Sequence, residues 1–98
     1  MWSVGLTKKV GKQLDTLPKA IQQKFDLLAK ELEVSGPLRA NWPNFGPLKG
    51  QEGQKYHCHI KKGRPTYEAC WEVVNKEIRI VEVYYVGTHE KAPYWGSD

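Results

Sequence analysis

The stretch YHCHIKKGRPTYEACWEV, residues 56–73, has the pattern of two β-strands joined by a tight turn. Apolar and aromatic side chains alternate with polar ones on both sides of a Gly-Arg-Pro segment, which is typical of strands that bury one face. We therefore predict strands at Tyr56–Lys61 and Thr66–Val74, connected by a turn centred on Gly63 and Arg64. A hairpin of this kind forms the centre of a small sheet, around which the rest of the chain has to pack.

The position of the turn determines which residues face each other across the hairpin. One face is apolar and pairs Tyr56 with Trp71, Cys58 with Ala69, and Ile60 with Tyr67. The other face pairs His57 with Cys70, His59 with Glu68, and Lys61 with Thr66. We expect the first face to pack on the core and the second to face solvent. Because cross-strand neighbours lie about 5 Å apart, we also expect the Glu68 carboxylate to raise the pKa of His59.

Alternating apolar residues mark two further strands outside the hairpin. Asn75 and Lys76 connect it to a third strand at Glu77–Val86, which makes an antiparallel meander. A short first strand is indicated at the start of the chain by Trp2, Val4 and Leu6.

Two amphipathic helices are predicted between the first strand and the hairpin. Thr7 is a suitable N-cap for the first helix, and Pro18 suits the first turn of the second. The apolar positions recur at helical spacing, with Val10, Leu14 and Leu17 in the first helix and Ile21, Phe25, Leu28 and Leu32 in the second. The connection between them is so short that the helices should form a hairpin.

The predicted fold is therefore α+β, with the order β-α-α-β-β-β and the helical hairpin packed on a small antiparallel sheet. Residues 35–54 form an irregular stretch rich in glycine and proline. Such long loops are uncommon in compact domains unless they are functional or disordered. Trp42 and Phe45 argue against disorder, and we expect them to cover one end of the core.

Length and composition indicate one folded domain, residues 1–98, since 98 residues with 40% hydrophobic residues suffice for a single core. The formal net charge of +4 fits a nucleic acid or an acidic protein as a partner, and it fits solubility alone equally well. Two cysteines are too few for a disulfide scaffold, and no apolar run is long enough for a membrane span. We therefore expect a cytoplasmic protein with no membrane association.

A zinc site was weighed because histidine and cysteine are the usual zinc ligands. The candidate ligands are His57, Cys58, His59, Cys70 and His89. Their spacing fits none of the common zinc motifs. Side chains 57 and 59 of a strand point one way and side chain 58 the other, so they do not converge on one ion. We accordingly expect no metal and no other cofactor.

Five segments taken in order resemble the RelE/ParE superfamily of bacterial toxins. They are LPKAI (17–21), LKG (48–50), YHCHI (56–60), YEACWEV (67–73) and YVGTHEKAPY (85–94). The resemblance covers nearly the whole chain, and Cys58–Ile60 with Thr88–His89 looks most like the YafQ branch of the RelE-type mRNA interferases. It implies the toxin of a type II toxin–antitoxin system, an endoribonuclease that cuts mRNA on the ribosome, inhibits translation and is silenced by a cognate antitoxin.

The resemblance also assigns roles to residues. His59 matches a catalytic base and His89 a catalytic acid, with His57, Glu68 and Tyr94 as further members of the catalytic set. Phosphate-binding cations are assigned to Lys61, Arg64 and Arg79, with Lys49 as a weaker candidate. The sequence departs from RelE-type relatives at Glu68, where those relatives carry an arginine. Glu68 is expected to tune His59 instead of gripping phosphate.

Simpler readings of the same residues stay open. A strand histidine is commonly just solvated, Tyr94 can pack the C-terminus against the sheet, and Arg79 can extend over the core edge. ParE-like relatives share the fold, inhibit DNA gyrase and are not expected to need an acid–base pair. A catalytically inactive relative that only binds an antitoxin or RNA is the third alternative, which the unusual Glu68 keeps open.

Overall fold

Two helices pack on a five-stranded sheet in the computed structural model, which describes residues 1–50 and 52–93. The helices are α1 (Lys8–Thr16) and α2 (Lys19–Ser35). The strands are β1 (Ser3–Leu6), β2 (Gly46–Pro47), β3 (Gln54–Lys61), β4 (Tyr67–Asn75) and β5 (Ile80–Thr88), followed by a 3₁₀ turn at His89–Lys91. The predicted α+β class and helical hairpin are confirmed.

The sheet is mixed, whereas an antiparallel sheet was predicted. Its strand order is β1-β5-β4-β3-β2, and β1 runs parallel to β5. The prediction was wrong on this point because the two helices carry the chain back across the sheet, so that β1 pairs with β5, far along the sequence. It also missed β2, a two-residue strand inside the irregular segment that pairs with β3 through Gly46 and Pro47.

The predicted core residues occupy one face of the sheet and the inner sides of the helices. The Thr7 hydroxyl caps α1 by accepting a hydrogen bond from the Val10 N–H at 3.2 Å. The four predicted positions of α2 are all buried, namely Ile21, Phe25, Leu28 and Leu32. They contact Cys58, Ile60, Ala69, Trp71, Val81, Val83 and Val86 of the sheet.

The irregular segment closes one end of this core, as predicted for Trp42 and Phe45. Both aromatic side chains pack against the buried cluster, and the Phe45 ring stacks on Tyr56 at a centroid distance of 5.7 Å. The segment is joined to α2 through Glu31. One oxygen of its carboxylate accepts hydrogen bonds from Arg39, Asn41 and Trp42.

The hairpin register is confirmed up to His59 and is wrong beyond it. The predicted pairs of Tyr56 with Trp71 and of His59 with Glu68 are present. A bulge after His59 then places Lys61 opposite Tyr67 instead of Thr66. Ile60 is the extra residue of this bulge, so its predicted pairing with Tyr67 is wrong as well, but its side chain stays in the core. Among the described helices, none has the length and apolar character needed to cross a membrane.

Candidate functional site

The second face of the hairpin is covered, although we expected it to face solvent. The 3₁₀ turn that follows β5 folds the chain back, so that Ala92 packs against Cys70 and Tyr85. As a result the Glu68 side chain has 0% exposure, while His59 and His89 keep 13% and 28%. The alternation along β3 and β4 placed these side chains on the correct face, but the cover comes from a part of the chain about twenty residues away.

The Glu68 carboxylate lies next to all three histidines of the protein. His89 Nδ1 is hydrogen-bonded to Glu68 Oε1, and His59 Nε2 lies 3.3 Å from the same oxygen. His57 Nδ1 lies 3.7 Å from the other oxygen, Oε2. The rings of His59 and His89 meet edge to face with centroids 5.1 Å apart. The structure therefore brings His57, His59, Glu68 and His89 into one cluster.

Backbone contacts position the two histidines that share Glu68 Oε1. The His59 N–H donates to the Pro43 carbonyl at 2.7 Å, which ties the edge of β3 to the irregular segment. The His89 N–H donates to the Thr66 carbonyl at 2.8 Å and so fixes the 3₁₀ turn to the hairpin turn. Just before it, the Tyr85 hydroxyl donates to the Thr88 carbonyl at 2.6 Å. Sequence reasoning missed Tyr85, since nothing in the strand pattern distinguishes it from a packing tyrosine.

Burial lowers the pKa of His59 from its ordinary value, which contradicts the rise that we expected. Loss of hydration is the largest cause and penalises the imidazolium, while the Glu68 carboxylate acts in the opposite direction and only partly offsets it. The pKa of His57 is lowered by the same balance of causes. Both rings are therefore predominantly neutral at pH 7.

Two cations lie near the cluster, and one of them was not predicted. Arg64 lines a cavity of about 330 Å³ together with Thr66, Thr88 and His89. The charge of Lys62 is felt at His59, where it helps to lower the pKa. Lys62 follows Lys61 directly, so the sequence alone did not show which lysine the bulge brings toward the histidines. Lys61 is exposed at the end of β3.

Two further predicted site residues among those described, Arg79 and Lys49, do not join the cluster. Arg79 is wrongly predicted as a strand residue: it lies in the turn before β5 with φ of 57°, about 30 Å along that strand from His89. Lys49 is exposed and follows Leu48, which hydrogen-bonds to Lys55 near the start of β3. Tyr94 lies outside the described residues.

His59, Glu68 and His89 form a potential metal-ligand set that was not predicted. One atom each of His59, Glu68 and His89 can be chosen so that all three lie within 4.8 Å of one another. Cys58 is buried in the core, apart from the histidines, as the alternation along β3 predicted. Glu68 was not among the predicted ligands.

The fold has well-matched counterparts among solved structures. A chain of the archaeal RelE–RelB complex from Pyrococcus horikoshii superposes with a TM-score of 0.74 at 22% identity, covering 93% of this chain and 98% of that one. An arginine-to-alanine double mutant of the E. coli toxin RelE gives 0.69 at 19% identity, covering 93% and 86%. The E. coli RelBE toxin–antitoxin complex gives 0.64 at 20% identity, covering 89% and 95%.

No protein-family model and no curated protein sequence matches the chain. The likeness is therefore one of architecture, and it extends over nearly the full length on both sides. This chain has the fold of the RelE toxins.

Proposed function

We propose that the chain is the toxin of a type II toxin–antitoxin pair and acts as a metal-independent endoribonuclease on ribosome-bound mRNA. The observation that carries the proposal is the meeting of His59 and His89 on one buried carboxylate oxygen. A RelE-like fold agrees with it, because the solved neighbours include RelE toxins and their complexes with RelB. A gyrase inhibitor is not expected to require an acid–base pair of histidines.

The two histidines supply the proton transfers that RNA cleavage requires. A base removes the 2′-hydroxyl proton, the oxygen attacks the neighbouring phosphorus, and an acid protonates the departing 5′-oxygen. His59 is the proposed base because its lowered pKa keeps it neutral. Its Nδ1 is enclosed without a hydrogen-bond partner and its Nε2 lies 3.3 Å from Glu68 Oε1, so Nε2 has to leave that oxygen before it takes the 2′-hydroxyl proton.

His89 is the proposed acid, with Glu68 as its positioning residue. The carboxylate binds His89 at Nδ1, which fixes the ring and leaves proton transfer to Nε2. The same carboxylate lies beside His57, which we assign to holding Glu68 in place. In this proposal Glu68 does not bind the phosphate of the RNA.

Cations have to offset the negative charge that develops on the phosphate oxygens during cleavage. Arg64 is the first candidate because it lines the cavity that contains His89. Lys62 is the second, because its charge reaches His59. Lys61 is retained as an outer contact to the RNA backbone. Stacking of Tyr94 on a base also remains part of the proposal.

The proposed partners are mRNA, the ribosome and a cognate antitoxin, all in the cytoplasm. A net charge of +4 favours association with ribosomal RNA. Two of the solved neighbours were crystallised as RelE–RelB or RelBE complexes. An antitoxin of this chain would be expected to cover the histidine cluster or to hold the toxin off the ribosome.

The experiment is a cleavage assay with purified ribosomes and mRNA, using protein freed of metal by EDTA and dialysis in a buffer that keeps the Mg²⁺ needed by the ribosomes. The parent should cut, and His59→Ala and His89→Ala should each reduce the rate by about 10²- to 10⁴-fold, as expected when a general acid or base is removed. Arg64→Gln should reduce it by about 10²-fold through loss of charge stabilisation. Lys76→Gln, a matched cation in the turn at the other end of the sheet, should cut like the parent.

Two results would contradict the proposal. One is a folded His89→Ala variant, checked by circular dichroism, that cleaves as fast as the parent. The other is a parent that leaves mRNA intact but blocks supercoiling by gyrase, which would establish the ParE-like alternative. Growth arrest on expression of the chain, relieved by His89→Ala at equal protein level, gives the corresponding result in cells.

A further inference from the structure

The histidine cluster has the composition of a transition-metal site. Among the described residues, two imidazole nitrogens and one carboxylate oxygen, from His59, His89 and Glu68, lie within 4.8 Å of one another. Two histidines with one glutamate form a familiar zinc ligand set, with a fourth position left for water. Imidazole nitrogen also suits copper and nickel, whereas magnesium and calcium prefer oxygen ligands alone.

The spacing of His59 and Glu68 fits two ligands of one ion, whereas His89 would have to move away from Glu68 to admit the ion. With zinc–nitrogen and zinc–oxygen bonds of about 2.0–2.2 Å, two ligands of a tetrahedral ion lie about 3.3–3.5 Å apart. His59 Nε2 and Glu68 Oε1 are 3.3 Å apart. His89 Nδ1 contacts Oε1 directly, so an ion would replace the proton that these two atoms share. Binding would therefore release a proton.

The surroundings of the cluster would support a bound ion. His57 Nδ1 lies 3.7 Å from Glu68 Oε2, and the Cys70 sulfur lies 3.8 Å from that oxygen. Contacts of this kind orient a ligating carboxylate. The cavity of about 330 Å³ next to His89 provides a route for the ion and space for its water ligand.

We propose that His59, Glu68 and His89 bind one Zn²⁺-class ion, and that this ion inhibits the enzyme. The binding half rests on the geometry alone. The inhibitory half rests on the proposed function: an ion on His59 Nε2 removes the base, and an ion on His89 Nδ1 breaks the contact with Glu68 that positions the acid. Cleavage would then need no metal ion, and binding of Zn²⁺ to the three side chains would inhibit it.

Binding is tested without reference to activity, on tag-free protein freed of metal by EDTA and dialysis. Co²⁺ is the spectroscopic probe, and isothermal titration with Zn²⁺ gives the stoichiometry and dissociation constant. We expect one ion per chain and visible cobalt bands. Both signals should be lost in His59→Ala and Glu68→Gln, and should be unchanged in Glu77→Gln, an exposed carboxylate in the turn at the far end of the sheet.

His57→Ala should bind the ion about 10- to 100-fold more weakly, because it removes a contact that orients the ligating carboxylate. Because a variant can lose binding simply by failing to fold, binding is also measured on the parent, by an imidazole ¹H–¹⁵N spectrum. Zn²⁺ should shift the ring signals of both His59 and His89. A titration in which the parent gives the same heat and the same spectrum as His59→Ala would overturn the binding half.

The inhibitory half is tested by adding Zn²⁺ to the ribosome-dependent cleavage assay. Cleavage should fall with a midpoint near the measured dissociation constant, and a chelator that binds Zn²⁺ but leaves the Mg²⁺ of the ribosomes in place should restore it. Zinc binding without any effect on cleavage, or with stimulation, would overturn inhibition and leave the site itself established. Absence of cleavage in EDTA-treated protein that still binds Zn²⁺ would instead contradict the proposed function.

Discussion

At the residue scale, Glu68 organises the site through a charge that is fully buried. A carboxylate removed from water is costly unless neighbouring groups hydrogen-bond to it or carry opposite charge. Here three histidines approach it, two at Oε1 and one at Oε2. The result is a carboxylate that restrains the rings of the proposed base and acid together.

Glu68→Gln is predicted to lower the pKa of both His59 and His57 below that of the parent. The reason is that the carboxylate raises both pKa values against the larger effect of burial. His59 is also faced by His89, His57 and Lys62, each of which lowers its pKa and is unchanged in the variant. The measurement is an NMR titration of the histidine rings in metal-free protein.

The matched control for this titration is Glu72→Gln, which changes a carboxylate four residues along the same strand. The pKa of His59 in Glu72→Gln should equal that of the parent. Since the imidazolium form of His59 becomes harder to reach, the acidic limb of the cleavage profile should move to lower pH in Glu68→Gln. An unchanged His59 pKa in that variant would show that the two residues do not interact.

The pairing of His59 with Glu68 was predictable from the sequence, and the burial of Glu68 was not. Strand alternation and the position of the turn are local features, and they determine register up to the bulge after His59. Burial depends on Ala92 and the 3₁₀ turn, which pack over β4 from beyond the end of β5. For the same reason the direction of the His59 pKa shift could not be obtained from a pair of strands alone.

At the element scale, the end of β5 determines where His89 lies. The Tyr85 side chain is almost fully buried, and its hydroxyl holds the Thr88 carbonyl immediately before His89. Gly87 makes this possible because a Cβ atom at that position would lie only 2.8 Å from the Tyr85 hydroxyl oxygen. The glycine at position 87 therefore has a structural reason here.

Gly87→Ala is predicted to destabilise the fold by about 1–3 kcal/mol, the usual cost of inserting a methyl group into packed surroundings. The added methyl should push Tyr85 away from Thr88 and slow cleavage through displacement of His89. Urea denaturation and the cleavage assay measure the two effects.

Gly11→Ala is the matched control, because a Cβ at this position of α1 would meet nothing within 4 Å. It should raise stability by about 0.5–1 kcal/mol, the ordinary gain for glycine to alanine in a helix. Equal responses of the two variants would show that Gly87 has no packing role.

Arg79 illustrates how far element boundaries can be read from sequence. The apolar alternation around it continues smoothly into β5, so it was placed on a strand face. In the structure, Asn75 accepts hydrogen bonds from the N–H groups of Glu77 and Ile78, and the turn extends to Arg79. Its carbonyl then accepts from the Ser3 N–H, which starts the parallel pairing of β1.

At the scale of the whole molecule, the layer order was predictable and the sheet topology was only partly so. Helical periodicity and strand alternation identify the elements and the core. The pairing of β1 with β5 joins residues nearly eighty positions apart, and no local pattern specifies it. The solved RelE structures have the same architecture at 22% identity or less, which shows that few side chains are needed to define it.

The long irregular segment is held to the rest of the molecule by one carboxylate of α2. Glu31 Oε1 accepts hydrogen bonds from Asn41 at 2.8 Å, Trp42 at 2.9 Å and Arg39 at 3.2 Å. Partial burial alone would raise the pKa of Glu31, but these hydrogen bonds and the charge of Arg39 outweigh it, and the pKa is lowered from its ordinary value of 4.5. The ionised form is thus favoured by folding.

A folded-state pKa below the unfolded one means that Glu31 stabilises the protein at pH values above 4.5, and that this contribution is lost as the pH falls through the folded-state pKa. Glu31→Gln should therefore cost roughly 1–2 kcal/mol of unfolding free energy at pH 7, the difference between hydrogen bonds to charged and to neutral acceptors. At pH 3 the gap between variant and parent should be much smaller. Urea denaturation at both pH values provides the measurement.

Glu33→Gln is the matched control for Glu31→Gln, because Glu33 lies on the same helix and makes an exposed ion pair with Lys30. Its loss should cost at most about 0.5 kcal/mol, as is usual for surface pairs. Comparable losses in the two variants would mean that the three hydrogen bonds to Glu31 add nothing beyond a surface contact. Trp42 would then cover the core through its apolar packing alone, and the irregular segment would keep its place in Glu31→Gln at every pH.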